Sequence, residues 1–189
     1  MNRAPDLHRA ERMALRVLAA RHITALPVEP LSLLRACRDT VVMTLDEASD
    51  RLDQPGSQLE RLFDRADAVT MRCAEKYLII YRPGGNPARL RFTLAHELGH
   101  RLLGHEGADL AEEREADHFA SHLLCPEPVI ARLRERFGIV PIQRVATGFY
   151  VSSACARAVS LRPASSADPT LLRQVETLLT GAADALCAD

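Results

Sequence analysis

The stretch RFTLAHELGHRLLGH, Arg91 to His105, constrains this chain more than any other. His96 and His100 lie four residues apart, so both can reach one ligand only if the segment is helical, where positions i and i+4 share a face one turn apart. The sequence also delimits that helix. Asn86 can accept from free backbone N–H groups at its start, Pro87 suits a first position that needs no donor, and Gly104 stops it.

His96-Glu97-Leu98-Gly99-His100 is an H-E-x-x-H motif, and its chemistry follows from the spacing. The histidine pair offers two neutral nitrogens to a divalent ion. Glu97 is placed to take a proton rather than to ligate. Zinc held there would lower the pKa of a water and polarise a peptide carbonyl, and Glu97 would carry the proton to the leaving amine. From ordinary residue frequencies the bare pentapeptide arises by chance in roughly one chain in two hundred of this length. Its place inside a capped helix, after two strand-like runs, strengthens the reading. The competing reading is an ordinary helix that happens to carry two imidazoles.

A catalytic zinc normally takes three protein ligands. A metzincin arrangement needs a glycine three residues past the second histidine and a ligand three further on. Leu103 and Glu106 occupy those positions, so that arrangement is rejected. The next helix, from about Leu110 to Leu124, offers Glu112, Glu113 and Glu115. On a helical wheel Glu112 and Glu113 fall nearer the centre of the apolar stripe (Ala116, Phe119, Ala120, Leu123, Leu124) than Glu115 does. Periodicity favours Glu112 slightly and does not decide.

RFTLAHELGHRLLGH followed by EREADHFASHLLCP resembles the ImmA/IrrE family of bacterial and phage-borne zinc metallopeptidases. PVEPLSLL, YLIIYRPGGNPARLRF and YVSSACARAVSLR extend the likeness over most of the chain, and Cys125 stands where the family usually has methionine. The resemblance implies zinc as cofactor, His96, His100 and Glu115 as its ligands and Glu97 as catalytic base, while periodicity leaves Glu112 as the alternative third ligand. It also implies a substrate: a cognate helix-turn-helix transcriptional repressor, cut at one site to relieve control of a mobile element or a damage response. Asp117 is a candidate to hydrogen-bond a ligating histidine, a partner that metal sites usually require. His105 reads as a cation at a helix C-terminus. His118 and His122, also four apart, could bind a metal but read as a solvated face opposite the apolar stripe. Tyr77, Tyr81, Tyr150 or an arginine could steady a developing oxyanion.

The remaining segments supply an α+β fold, a zincin-like core with a small sheet and flanking helices. Strands are expected at Val41–Leu45, Ala68–Arg72 and Tyr77–Arg82, the last two as a hairpin whose YLIIYR edge could pair with an extended substrate. DEASDRLDQPGSQ is polar and turn-rich, hence a loop. Residues 1–162 form the peptidase-like domain, and 163–189 a linker plus a helix packed on it. At 189 residues, 47% hydrophobic and 26% charged, the chain suits one buried core.

No apolar run approaches the roughly 18 residues of a membrane span, and the N-terminus lacks a secretory pattern, so the expected location is cytoplasmic. Five scattered cysteines without a C-x-x-C pair argue against a disulfide framework. A net charge of -1 gives no general pull toward nucleic acid. Residues 128–162 nevertheless carry six arginines and one glutamate. That segment keeps open a second reading, a DNA-binding or repressor-binding regulator without proteolysis, such as a toxin–antitoxin partner.

Overall fold

The computed structural model describes residues 3–63, 66–73, 75–106 and 109–188. Two amphipathic helices, α1 (Leu7–Ala20) and α2 (Pro30–Arg35), lead into strand β1 (Thr40–Thr44). Helices α3 (Leu45–Leu52) and α4 (Gly56–Leu59), with a 3-10 turn at Glu60–Leu62, come before the hairpin of β2 (Ala68–Cys73) and β3 (Lys76–Tyr81). Six helices complete the chain: α5 (Pro87–Leu103), α6 (Leu110–Leu124), α7 (Glu127–Phe137), α8 (Ile142–Gly148), α9 (Ser153–Ser160) and α10 (Pro169–Cys187). The architecture is mixed α+β.

The sheet has the order β1-β3-β2. β3 pairs parallel with β1, Thr40 opposite Tyr77, and antiparallel with β2, Ala68 opposite Tyr81. This arrangement moves the free edge. YLIIYR was expected to offer an edge to substrate, but β3 is hydrogen-bonded on both sides and β1 and β2 are the border strands. Burial follows from that place. Consecutive Ile79 and Ile80 point to opposite faces and both are fully buried, as a central strand covered on both sides requires.

Ile79 belongs to the main core with α1, α5 and α6, whereas Ile80 packs in a smaller cluster with Met43, Ala48, Leu59 and Phe63. That second cluster needs a cover, and the segment expected as a loop supplies it as α3 and α4. The helix start was written in the sequence as a capping box. Thr44 accepts from the Glu47 N–H, and the Glu47 carboxylate accepts from the Thr44 N–H.

The site-bearing helices, α5 and α6, pack closely because Gly99 faces Ala116 and Phe119. A Cβ on Gly99 would lie 3.0 Å from Phe119 Cδ1 and 3.2 Å from the Ala116 Cα. Backbone cannot yield there without separating the helices. Gly99→Val should therefore destabilise the protein by roughly 2–3 kcal/mol through overpacking, read as a drop of about 5–10 °C in Tm.

Arg91 fixes the same helix from its buried side. Its guanidinium donates to the Val28 carbonyl at 2.5 Å and the Tyr150 carbonyl at 3.3 Å, and pairs with Glu29. α10 lays Val175, Leu179 and Ala183 into the main core, largely against α7 and α1. No described helix is long and apolar enough to cross a membrane.

Candidate metal centre

Helix α5 begins as its sequence dictates. Asn86 accepts from the Arg89 N–H, Pro87 takes the first position, and Gly104 ends the helix in the left-handed conformation at φ 68°. His96 and His100 then emerge on one face, with Nε2 atoms 2.8 Å apart. Helix α6, capped by Asp109, brings Glu113 opposite them. One Glu113 oxygen is 3.4 Å from His96 Nε2 and the other is 3.4 Å from His100 Nε2. The three donor groups lie within 4.8 Å of one another.

The outer nitrogens settle the tautomers. His96 Nδ1 is 2.9 Å from Asp117 Oδ1, a carboxylate that can only accept, so Nδ1 carries the proton. His100 Nδ1 is 3.0 Å from His105 Nδ1, and His105 Nε2 is 3.0 Å from Glu115 Oε2. Read back from Glu115, His105 donates through Nε2 and accepts through Nδ1, so His100 also carries its proton on Nδ1. Both Nε2 lone pairs therefore point at each other and at Glu113. With that assignment three electron-rich atoms converge with no proton between them, an arrangement that suits a divalent cation.

Burial favours that assignment at His100, and the surrounding carboxylates oppose it at His96. Burial, together with the neighbouring His96 and His105, pushes the His100 imidazole down to about 4, leaving it neutral near pH 7. For His96 burial works in the same direction, but Asp117, Glu97 and Glu113 outweigh it and the net shift is upward. Glu97 is raised, chiefly by burial, with Glu113 adding to the rise and Thr70 and His96 opposing it. A carboxylate lifted in this way is a stronger base, the direction that proton abstraction near neutral pH favours.

The site residues expected from sequence fall into two groups. His96, Glu97, His100 and Asp117 line one open cleft of about 710 Å³ together with Glu113. Glu115, the third ligand implied by the resemblance, is turned away from it. Its carboxylate is fully buried and is taken up by Arg3 at 2.7 Å, the Asp6 N–H at 2.8 Å and His105. Glu112, the alternative, sits at the start of α6 with its N–H on the Asp109 cap, and the three-group cluster does not include it.

The physical reason is helical phase. Glu113 and Asp117 are four apart and share the face toward α5, while Glu115 is two residues from each and faces α1 instead. Sequence reasoning named Glu113 only as one of three carboxylates. Asp117 held the missing signal, because a residue beside His96 places the residue one turn earlier there too.

His105 also differs from its expected part as a helix-terminal cation. It is buried and links His100 to Glu115. Of the tyrosines, Tyr77 lines the cleft, Tyr81 is buried in the main core and Tyr150 lies under Arg91. β2 forms the cleft wall with Val69, Thr70 and Met71.

On this α+β frame a histidine pair thus faces a carboxylate from the next helix, with a part-buried glutamate beside it. The chain belongs to the IrrE N-terminal-like domain family of peptidases, which residues 50–158 match. It is similar to the radiation response metalloprotease IrrE of Deinococcus radiodurans, 33% identical over 150 residues, covering 71% of this chain. The chain spans 40% of that relative's length.

Proposed function

We propose that this protein is a zinc-dependent endopeptidase in which His96, His100 and Glu113 hold the ion and Glu97 is the general base. The observation that carries this reading is the convergence of two imidazole Nε2 atoms and a carboxylate, with Glu97 in the same cleft. A divalent ion there supplies Lewis acidity to a substrate carbonyl and lowers the pKa of a water. Glu97 takes that water's proton and delivers it to the departing amine. Asp117 and the His105–Glu115 pair keep both imidazoles in the ligating tautomer. Tyr77, with its ring in the cleft, is the tyrosine placed to meet a developing oxyanion.

β2 suggests how substrate is held. It is a border strand and the one whose residues line the cleft wall, so an extended segment can add alongside it by backbone hydrogen bonds. A flexible segment of a helix-turn-helix repressor, in the cytoplasm, is the substrate we assign. The competing idea of direct nucleic-acid binding has fewer free guanidinium groups to draw on than the sequence suggests. Four of the six arginines in 128–162 are engaged within the chain: Arg132 with Asp184, Arg134 and Arg162 with Glu127, and Arg144 with the Leu186 and Ala188 carbonyls.

The test is co-incubation with the repressor encoded beside this protein, with the cut mapped by mass spectrometry. Prolonged chelation should abolish cleavage and stoichiometric zinc should restore it, since two imidazoles and one carboxylate make a reversible site. Cleavage that continues in the metal-free protein would overturn the reading.

A further inference from the structure

The second histidine pair, His118 and His122, is not on a solvated face. Helix α1 covers it, leaving His122 3% exposed and Glu11, the α1 residue facing it, 5% exposed. His122 Nδ1 is 3.5 Å from Glu11 Oε1, beyond the usual 2.7–3.2 Å of an N–H···O bond. Glu11 Oε1 and both nitrogens of His122 are buried without a hydrogen-bond partner. Buried polar atoms are normally paired, and each orphan costs free energy. Two of these orphans, Glu11 Oε1 and His122 Nδ1, face each other at 3.5 Å and call for one common partner.

His118 completes the group. Its ring lies 4.4 Å from that of His122, centroid to centroid, and one donor atom from each of Glu11, His118 and His122 lies within 4.8 Å of the others. We propose that these three residues form a second divalent-cation site, separate from the cleft, which takes zinc and fastens α1 to α6. Two imidazoles and one carboxylate suit zinc, and a wide cavity of about 670 Å³ bordered by His118 gives an ion a way in.

Arg162, whose charge acts on both histidines, is offset by Glu127 at 3.0 Å and donates to the Cys125 carbonyl. The residue after His118 is Phe119, fully buried in the core, where the cleft motif has Glu97. A site without a neighbouring base holds an ion rather than performing hydrolysis. It shares no residue with the cleft, so it stands or falls independently of the peptidase reading.

Zinc stoichiometry tests it on the full chain. After dialysis, wild type should retain two equivalents. The double variant His96→Ala/His100→Ala should retain one, and saturating zinc should raise its Tm by on the order of 5 °C. Adding His122→Leu, which fills the space with an apolar side chain, should remove both the equivalent and the shift. His118→Ala, at a less buried position, should weaken binding at least about ten-fold if the His122 variant does not fold. A folded His96→Ala/His100→Ala protein that binds no zinc would overturn the proposal, as would binding that survives His122→Leu and His118→Ala. One equivalent in wild type, lost with His96 and His100 but kept in His122→Leu, would sink this site alone. One equivalent lost only with His122 would instead sink the metal reading of the cleft.

Discussion

Glu97→Gln should lower peptide-bond cleavage by about a thousand-fold or more, the range that loss of a positioned general base commands, while zinc content and Tm stay near wild type. Glutamine keeps the size and one acceptor of glutamate but cannot take a proton. Glu97 is not among the three groups that converge on the proposed ion, so the ligand set survives the change. It also carries a desolvation cost as a carboxylate, seen in its upward shift, which a neutral amide avoids. Stability should therefore hold or rise slightly. Cleavage of the mapped bond by the variant at a rate within ten-fold of wild type would remove Glu97 from the chemistry.

The second large effect separates two glutamates two residues apart. Glu113→Ala should strip the cleft of its metal and with it the activity, yet leave the fold nearly as stable, because Glu113 is part-exposed and its role is at the cleft. Glu115→Ala should do the reverse in order of cause. It leaves the Asp6 N–H, His105 and Arg3 without their shared acceptor, costing roughly 2–3 kcal/mol given that Arg3 is half exposed.

The Glu115 contribution also has a pH signature. Burial pushes the carboxyl up, but the bonds from Asp6, His105 and Arg3 outweigh it and hold the value below 4.5. A group lowered on folding stabilises fully above its unfolded value and loses that contribution as pH falls through the folded one. Glu115→Gln should thus lose part of the acid-induced decline of wild type, measured as Tm from pH 6 down to about pH 3. Equal metal loss in both alanine variants, with unchanged stability in Glu115→Ala, would refute the separation.

Much of this molecule was legible before its coordinates, and the failures share a cause. α5 could be bounded from Asn86, Pro87 and Gly104 because its signals are local to the chain. The hairpin of β2 and β3 was equally local. What lay hidden needed a neighbour distant in sequence. The polar stretch after Leu45 looks like a loop until Ile79 and Ile80 show a strand buried on both faces and in need of a second cover.

His118 and His122 look solvated until α1, about a hundred residues upstream, closes over them. The same holds for the glutamates of α6. Its apolar stripe tells which side is inward, but α5 and α1 both lie inward, on different sides. Only the partner distinguishes Glu113 from Glu115.

The hydrogen-bonded line from His100 through His105 and Glu115 ends at Arg3 and the Asp6 backbone. The cleft is in this way tethered to the outermost described turn of polypeptide. Replacing Arg3, or shifting the turn at Asp6, releases the far anchor of an imidazole in the cleft. A substitution more than ninety residues away in sequence is, in this protein, felt at His100.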